Sequence, residues 1–149
     1  LNTSNLIFDF ARKLSKLTGT KIVALNFDVV DQMKTPDIKG VYSASVEEFL
    51  GYIKYADYVV TNSFHGTAFS VIFHKDFYVE ALQKDFKPND RVESLLCLTG
   101  LDGCKVKTLE DCRLNVSRDF NFADDQIRKQ YIKTNQYFER VLNEDGRSF

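Results

Sequence analysis

The stretch Ala56-Asp57-Tyr58-Val59-Val60-Thr61-Asn62-Ser63-Phe64-His65-Gly66-Thr67-Ala68-Phe69-Ser70 decides the fold. Asp57 to Thr61 is a short, apolar, β-branched run without polar alternation, which predicts a strand covered on both faces. Asn62 to Gly66 reads as a tight turn, and Thr67 to Phe73 as an apolar helix behind it. Strand, turn and helix in this order form the unit from which parallel sheets are built.

The rest of the chain repeats the alternation. Upstream, Ile7, Phe10, Ala11, Leu14 and Leu17 recur at helical spacing with Arg12, Lys13 and Lys16 between them, predicting an amphipathic helix over Asn5 to Thr18 that stops at Gly19. Lys21 to Phe27 predicts a second buried strand. Asp28 to Ser45 is polar and irregular, broken by Pro36 and Gly40, and is longer than a compact connection needs, so it is a candidate functional loop. Ser45-Val46-Glu47-Glu48 has the form of a capping box and starts a helix running to about Ala56. Downstream, Phe77 to Glu80 predicts a strand, Asp90 to Leu98 a helix, and Lys105 to Lys107 a last short strand. Asp124 to Asn143 carries Ile127, Tyr131, Phe138 and Leu142 along one stripe, predicting a long helix docked on the body. The expected class is α/β: one Rossmann-like three-layer sandwich over residues 1–149 with a mainly parallel sheet.

Composition bounds the function. The 149 residues hold 20 Lys and Arg against 21 Asp and Glu, a formal net charge of −1, and show no stripe of basic residues interleaved with aromatics, which disfavours a nucleic-acid role. Hydrophobic residues at 44% and aromatics at 13% are enough for a core and too many for a disordered tail. No apolar run approaches the roughly 20 residues that span a bilayer, and Leu1 to Phe10 lacks the basic start of a signal peptide, so the expected location is the cytoplasm. Cys97, Cys104 and Cys112 form no CxxC pair and have two histidines in the chain to help them, so no metal site is expected. Reduced thiols suit such a chain, with a Cys104–Cys112 pair left open. The chain opens straight into a helix without an initiating methionine, as a domain cut from a larger protein would.

In open parallel sheets ligands bind beyond the carboxyl ends of the strands, which directs attention to Asn26–Asp28, Thr61–His65 and Glu80–Gln83. The middle set is the richest. Small residues such as Gly66 let the backbone turn closely, and the first turn of the following helix presents unpaired N–H groups to an anion. Asn62, Ser63 and Thr67 add short hydrogen-bonding side chains, and His65 adds a group that gives or takes a proton near neutral pH. The same residues also suit a plain helix cap and a satisfied structural histidine. His74 follows His65 by nine residues, which at about 100° each places it on the opposite helix face, unable to share an ion with His65.

Residues 56–70 resemble the signature of the polysaccharide pyruvyl transferase family, and Asp90-Arg91-Val92-Glu93-Ser94-Leu95-Leu96, ending at Gly100-Leu101, is similar to that family too. The likeness runs from about Ser45 to Val106. It implies the C-terminal half of a two-domain fold like that of GT-B glycosyltransferases, working with an N-terminal domain of the same protein. The implied donor substrate is phosphoenolpyruvate, with no cofactor. The implied acceptor is a saccharide or lipid-linked sugar, which receives pyruvate as a ketal during synthesis of capsule, exopolysaccharide or cell wall. Work on a lipid-linked acceptor implies peripheral association of the full-length protein with the inner face of the membrane. By the resemblance His65 is the acid or a phosphate ligand, with Asn62, Ser63, Gly66 and Thr67 around the substrate. Family members often carry Arg two residues before this histidine. Ser63 stands there in this chain, so Lys75 or Arg91 has to supply the positive charge. Two other readings stay open: a nucleotide-sugar glycosyltransferase half-domain, and a non-catalytic α/β binding domain.

Overall fold

The computed structural model describes residues 5–25, 35, 37–80 and 90–144. The expectations for Asn26 to Asp28, for the following stretch to Lys34, and for Ala81 to Gln83 lie outside the described residues. Helix α1 (Asn5–Thr18) has the predicted limits and buries Phe10 and Leu14. Gly19, at a φ of 73°, ends it by donating its N–H to Ser15 O at 2.8 Å. Strand β1 (Val23–Leu25) starts two residues later than the predicted run. It pairs in parallel with β2 (Lys39–Val41), a strand inside the stretch expected to be irregular. Lys39-Gly40-Val41 carries no apolar or β-branched run, so its strand character comes from the partner and not from propensity.

Helix α2 (Val46–Tyr55) starts with the predicted box: Glu48 N donates to Ser45 Oγ at 3.2 Å, and Ser45 N donates to the Glu48 carboxylate at 2.8 Å. Then follow β3 (Tyr58–Thr61), α3 (Phe64–Ile72), β4 (Asp76–Glu80), α4 (Asp90–Thr99), β5 (Lys105–Val106) and α5 (Phe120–Glu144). Strands β3, β4 and β5 form a parallel sheet in that order, with Tyr58 opposite Asp76 and Val79 opposite Lys105. β3-α3-β4 and β4-α4-β5 are thus consecutive crossover units, the arrangement that makes the class Rossmann-like.

The layers follow from the two-residue period of β4. Phe77 and Val79 point to one face and pack with Val71 of α3, Val92 and Leu96 of α4, and Ala123 of α5. Tyr78 points to the other and packs with Phe10 and Leu14 of α1, its ring centroid 5.0 Å from that of Phe10. Cys104 belongs to the first core and Cys112 to the second, both as free thiols, so the open pairing is not made; Cys97 is an exposed free thiol.

Arg118, 3% exposed in its side chain, ties the segment before α5 to the amino end of β4. It donates to Asp76 Oδ1 at 2.9 Å, Phe77 O at 2.9 Å and Val116 O at 3.0 Å, and its guanidinium lies 5.2 Å from the Tyr78 ring centroid.

The docking expected of the last helix is corrected. It begins at Phe120, where Asp119 accepts the Phe122 N–H at 3.0 Å, and its early residues Phe120, Ala123 and Ile127 pack on the body. Residues 128–140 are exposed throughout, with Tyr131 at 66% and Phe138 at 56%. The stripe is real, but beyond Ile127 the described residues place nothing against it. No helix among the described residues is long and apolar enough to cross a membrane.

Candidate functional site

The turn after β3 is tighter than its sequence suggests, because α3 starts at Phe64 and not at Thr67. Phe64, His65 and Gly66 form its first turn, and Ser63 is the N-cap, with φ −95° and ψ 135°. Ser63 Oγ accepts from Gly66 N at 3.5 Å, and Ser63 O accepts both Thr67 N at 3.0 Å and Thr67 Oγ1 at 2.9 Å. Thr61 Oγ1, at the end of the strand, accepts Ser63 N at 3.0 Å. A helix cannot satisfy its first four amides internally. Here Ser63 N and Gly66 N are engaged by side chains, and the described residues supply no acceptor for those of Phe64 and His65. An anion placed there meets two N–H groups and the positive end of the helix dipole.

Ser63 and Thr67 therefore build the turn, and Thr67 is fully buried. Gly66 is buried against Thr61. Asn62, half-buried, links strand to cap. His65 is exposed on the first helical turn, its ring edge-on to Phe64 with centroids 5.8 Å apart.

Arg91, in the first turn of α4, brings its guanidinium 5.1 Å from the Phe64 ring centroid. One aromatic ring thus separates and positions the imidazole and the guanidinium. Phe64 had no role in the sequence reading; it is the one large apolar side chain between Asn62 and Thr67, and that contrast is the signal that could have found it. Glu80 ends β4 on the same edge of the sheet, half-buried.

Lys75 is not brought to this turn. It lies past the far end of α3, ten residues after His65, and its Nζ donates to Lys54 O at 3.2 Å. Of the two cations weighed in the sequence, the fold brings Arg91 beside the turn and Lys75 away from it. His74 needs a different account from the helical-wheel one. It is not on α3 but beyond its C-cap, in the left-handed region at φ 51°. Its Nε2 is 3.0 Å from Asp124 Oδ1 and its ring stacks on Phe120 at 4.9 Å, so it anchors α5. Among the described residues no group of three His, Cys, Asp or Glu could hold a metal ion.

A parallel α/β sheet in which strand β3 runs into a capped, His-bearing helix start places the chain among the Rossmann-like α/β domains. Within that class, the model of the family described as polysaccharide pyruvyl transferase matches residues 8–83, from α1 through β4. The chain belongs to the polysaccharide pyruvyl transferase family, which is a family of transferases. The match holds all of the turn after β3 and ends before α4, so Arg91 stands outside it. No curated protein and no solved structure matches the chain significantly.

Proposed function

We propose that this chain carries the donor-side chemistry of a pyruvyl transfer from phosphoenolpyruvate to a pair of hydroxyls on a saccharide or lipid-linked sugar. The observation that carries this reading is the exposed His65 in the first turn of α3, beside the amides of Phe64 and His65. The donor's phosphate sits at these N–H groups, with Arg91 adding charge from the side of Phe64. His65, as the imidazolium, delivers a proton to the methylene carbon, which becomes the methyl group. The adjacent carbon loses electron density and accepts one sugar hydroxyl oxygen. Its C–O bond to phosphate then breaks, inorganic phosphate departs, and the second hydroxyl closes the ketal. Two hydroxyl protons are released in all: one restores His65 and the other leaves with phosphate. No cofactor enters this scheme.

A ketal closed on two hydroxyls requires donor and acceptor to be gripped together, so the turn works as one wall of a cleft completed by an N-terminal domain of the same protein. The 149 residues alone then show no turnover. In the full-length protein, His65→Ala lowers turnover by about 10²–10⁴-fold, the usual worth of a positioned general acid. His74→Ala, beyond the C-cap of α3, leaves the rate within a few-fold. Phosphate release from phosphoenolpyruvate in the presence of the acceptor reads both. A His65→Ala protein as fast as wild type overturns the assignment.

A further inference from the structure

A second concavity lies at the amino ends of β1 and β2 and shares no residue with the turn after β3. It is a cavity of about 480 Å³ walled by Arg12 and Lys16 of α1, Lys21 before β1, and Asp37 and Lys39 at β2. Asp37 is the one carboxylate on this wall, and Arg12 takes it up: Nε donates to Oδ2 at 2.7 Å and Nη2 to Oδ1 at 3.0 Å. Arg12 also donates to Asp9 at 3.1 Å, so its charge is matched twice. Lys16 adds a longer-range pull on Asp37, but neither it nor Lys21 or Lys39 forms a close ion pair. Among the described residues none of the three has a carboxylate within ion-pair distance.

The whole chain is balanced at −1, so this concavity is a local excess of positive charge and not a sample of a basic surface. Its walls are held in place. Lys39 N donates to Ile22 O at 3.2 Å, which fixes the start of β2 beside the residue after Lys21, and the Arg12–Asp37 pair joins α1 to the approach to β2. Three compact ammonium groups on flexible stems suit the spread oxygens of phosphate. The planar fork that matches a carboxylate, Arg12, is already occupied.

We propose that this cavity binds a phosphate-bearing anion of at least two charges, carried either by a soluble phosphate ester or by a lipid headgroup. The site stands independently of pyruvyl transfer. Its test is a calorimetric titration of the protein with inorganic pyrophosphate at about 20 mM salt, where charge is screened only over long distances. The double variant Lys21→Gln/Lys39→Gln weakens binding by about five- to tenfold, two exposed charge contacts' worth. Lys129→Gln/Lys133→Gln, on the exposed part of α5, leaves it unchanged. All the substituted side chains are exposed, and thermal unfolding checks that each variant keeps its fold. Lys16→Gln supplies a further, single-site variant and weakens binding in the same direction.

Sedimentation with phosphatidylcholine vesicles, with and without phosphatidic acid, separates the sources. Co-sedimentation that needs phosphatidic acid and is lost in the double variant assigns the headgroup. Lysine-dependent pyrophosphate binding without co-sedimentation assigns the soluble ester. The proposal is overturned if neither anion binds, or if the double variant binds both as well as wild type does.

Discussion

Gly66 lies against Thr61 so closely that no side chain fits between helix and strand. A Cβ built on Gly66 would collide with Thr61 Oγ1 and come within 3.1 Å of Thr61 Cβ. Thr61 cannot retreat freely, because its hydroxyl also accepts the Ser63 N–H that shapes the cap.

This contact sets the sign of a substitution. By helix propensity alone, Gly66→Ala should stabilise by about 1 kcal/mol. The collision instead makes it destabilising by about 1–3 kcal/mol, the usual cost of overpacking. Urea denaturation decides between the two, and Thr61→Ala added to Gly66→Ala recovers part of the loss by clearing the space. An increase in stability for the single variant would show that helix and strand can part without cost.

Arg118→Met tests the buried guanidinium. Its charge-assisted bonds to Asp76, Phe77 O and Val116 O are lost, and a carbonyl within the core layer is left without its donor. A loss of about 2–4 kcal/mol follows from the cost of a broken buried charged hydrogen bond. Arg118→Lys does not restore it, since one ammonium cannot span both Asp76 and Phe77 O. Equal denaturation midpoints for wild type and Arg118→Met would refute the tie.

Stability should fall at alkaline pH. Burial pushes the Cys104 and Cys112 thiols and the Tyr78 phenol above their ordinary values. Each of these groups contributes stability that is complete below its unfolded value, about 8.5 for Cys and 10 for Tyr, and is lost as pH rises toward the folded one. At the acid end, the amides of Lys107 and Thr108 hold the Asp111 carboxyl below the usual range, so its contribution is present above about pH 4 and lost as pH falls. Thermal midpoints across pH check both limbs. Cys104→Ala/Cys112→Ala lowers the midpoint at neutral pH but shrinks its drop between about pH 8 and 10.

What the sequence disclosed depended on how much of the outcome was local. The limits of α1, the Ser45–Glu48 box and the strand at Tyr58–Thr61 were readable, because stripe, cap and β-branched run each act within a few residues. β2 was not readable: Lys39-Gly40-Val41 is a strand only through its pairing with Val23–Leu25. The start of α3 was misplaced because Ser-Phe-His-Gly looks like a turn until Ser63 is seen as its cap. The stripe of α5 was legible, but a stripe does not say whether anything covers it. At the candidate site His65 and its cap came from the motif, whereas the nearness of Arg91 to the turn depends on the placing of α4 against Phe64, which no local pattern discloses. Arg118 stands among Ser117 and Asp119 with no pattern to mark it.

The alternation of Phe77, Tyr78 and Val79 along β4 has a mechanical consequence. This strand of five residues is a shared wall of both cores, so neither can lose its packing without stripping one side of the other's scaffold. The helix α1 and the helices α3 and α4, on opposite faces of the sheet, are coupled in their melting through β4 and through its neighbour β3, whose Val59 packs on the first core and whose Tyr58 and Val60 pack on the second. Loosening on the side of Phe10 therefore reaches the ground on which the His65 turn stands, and the amides of β4 are the last to open to solvent.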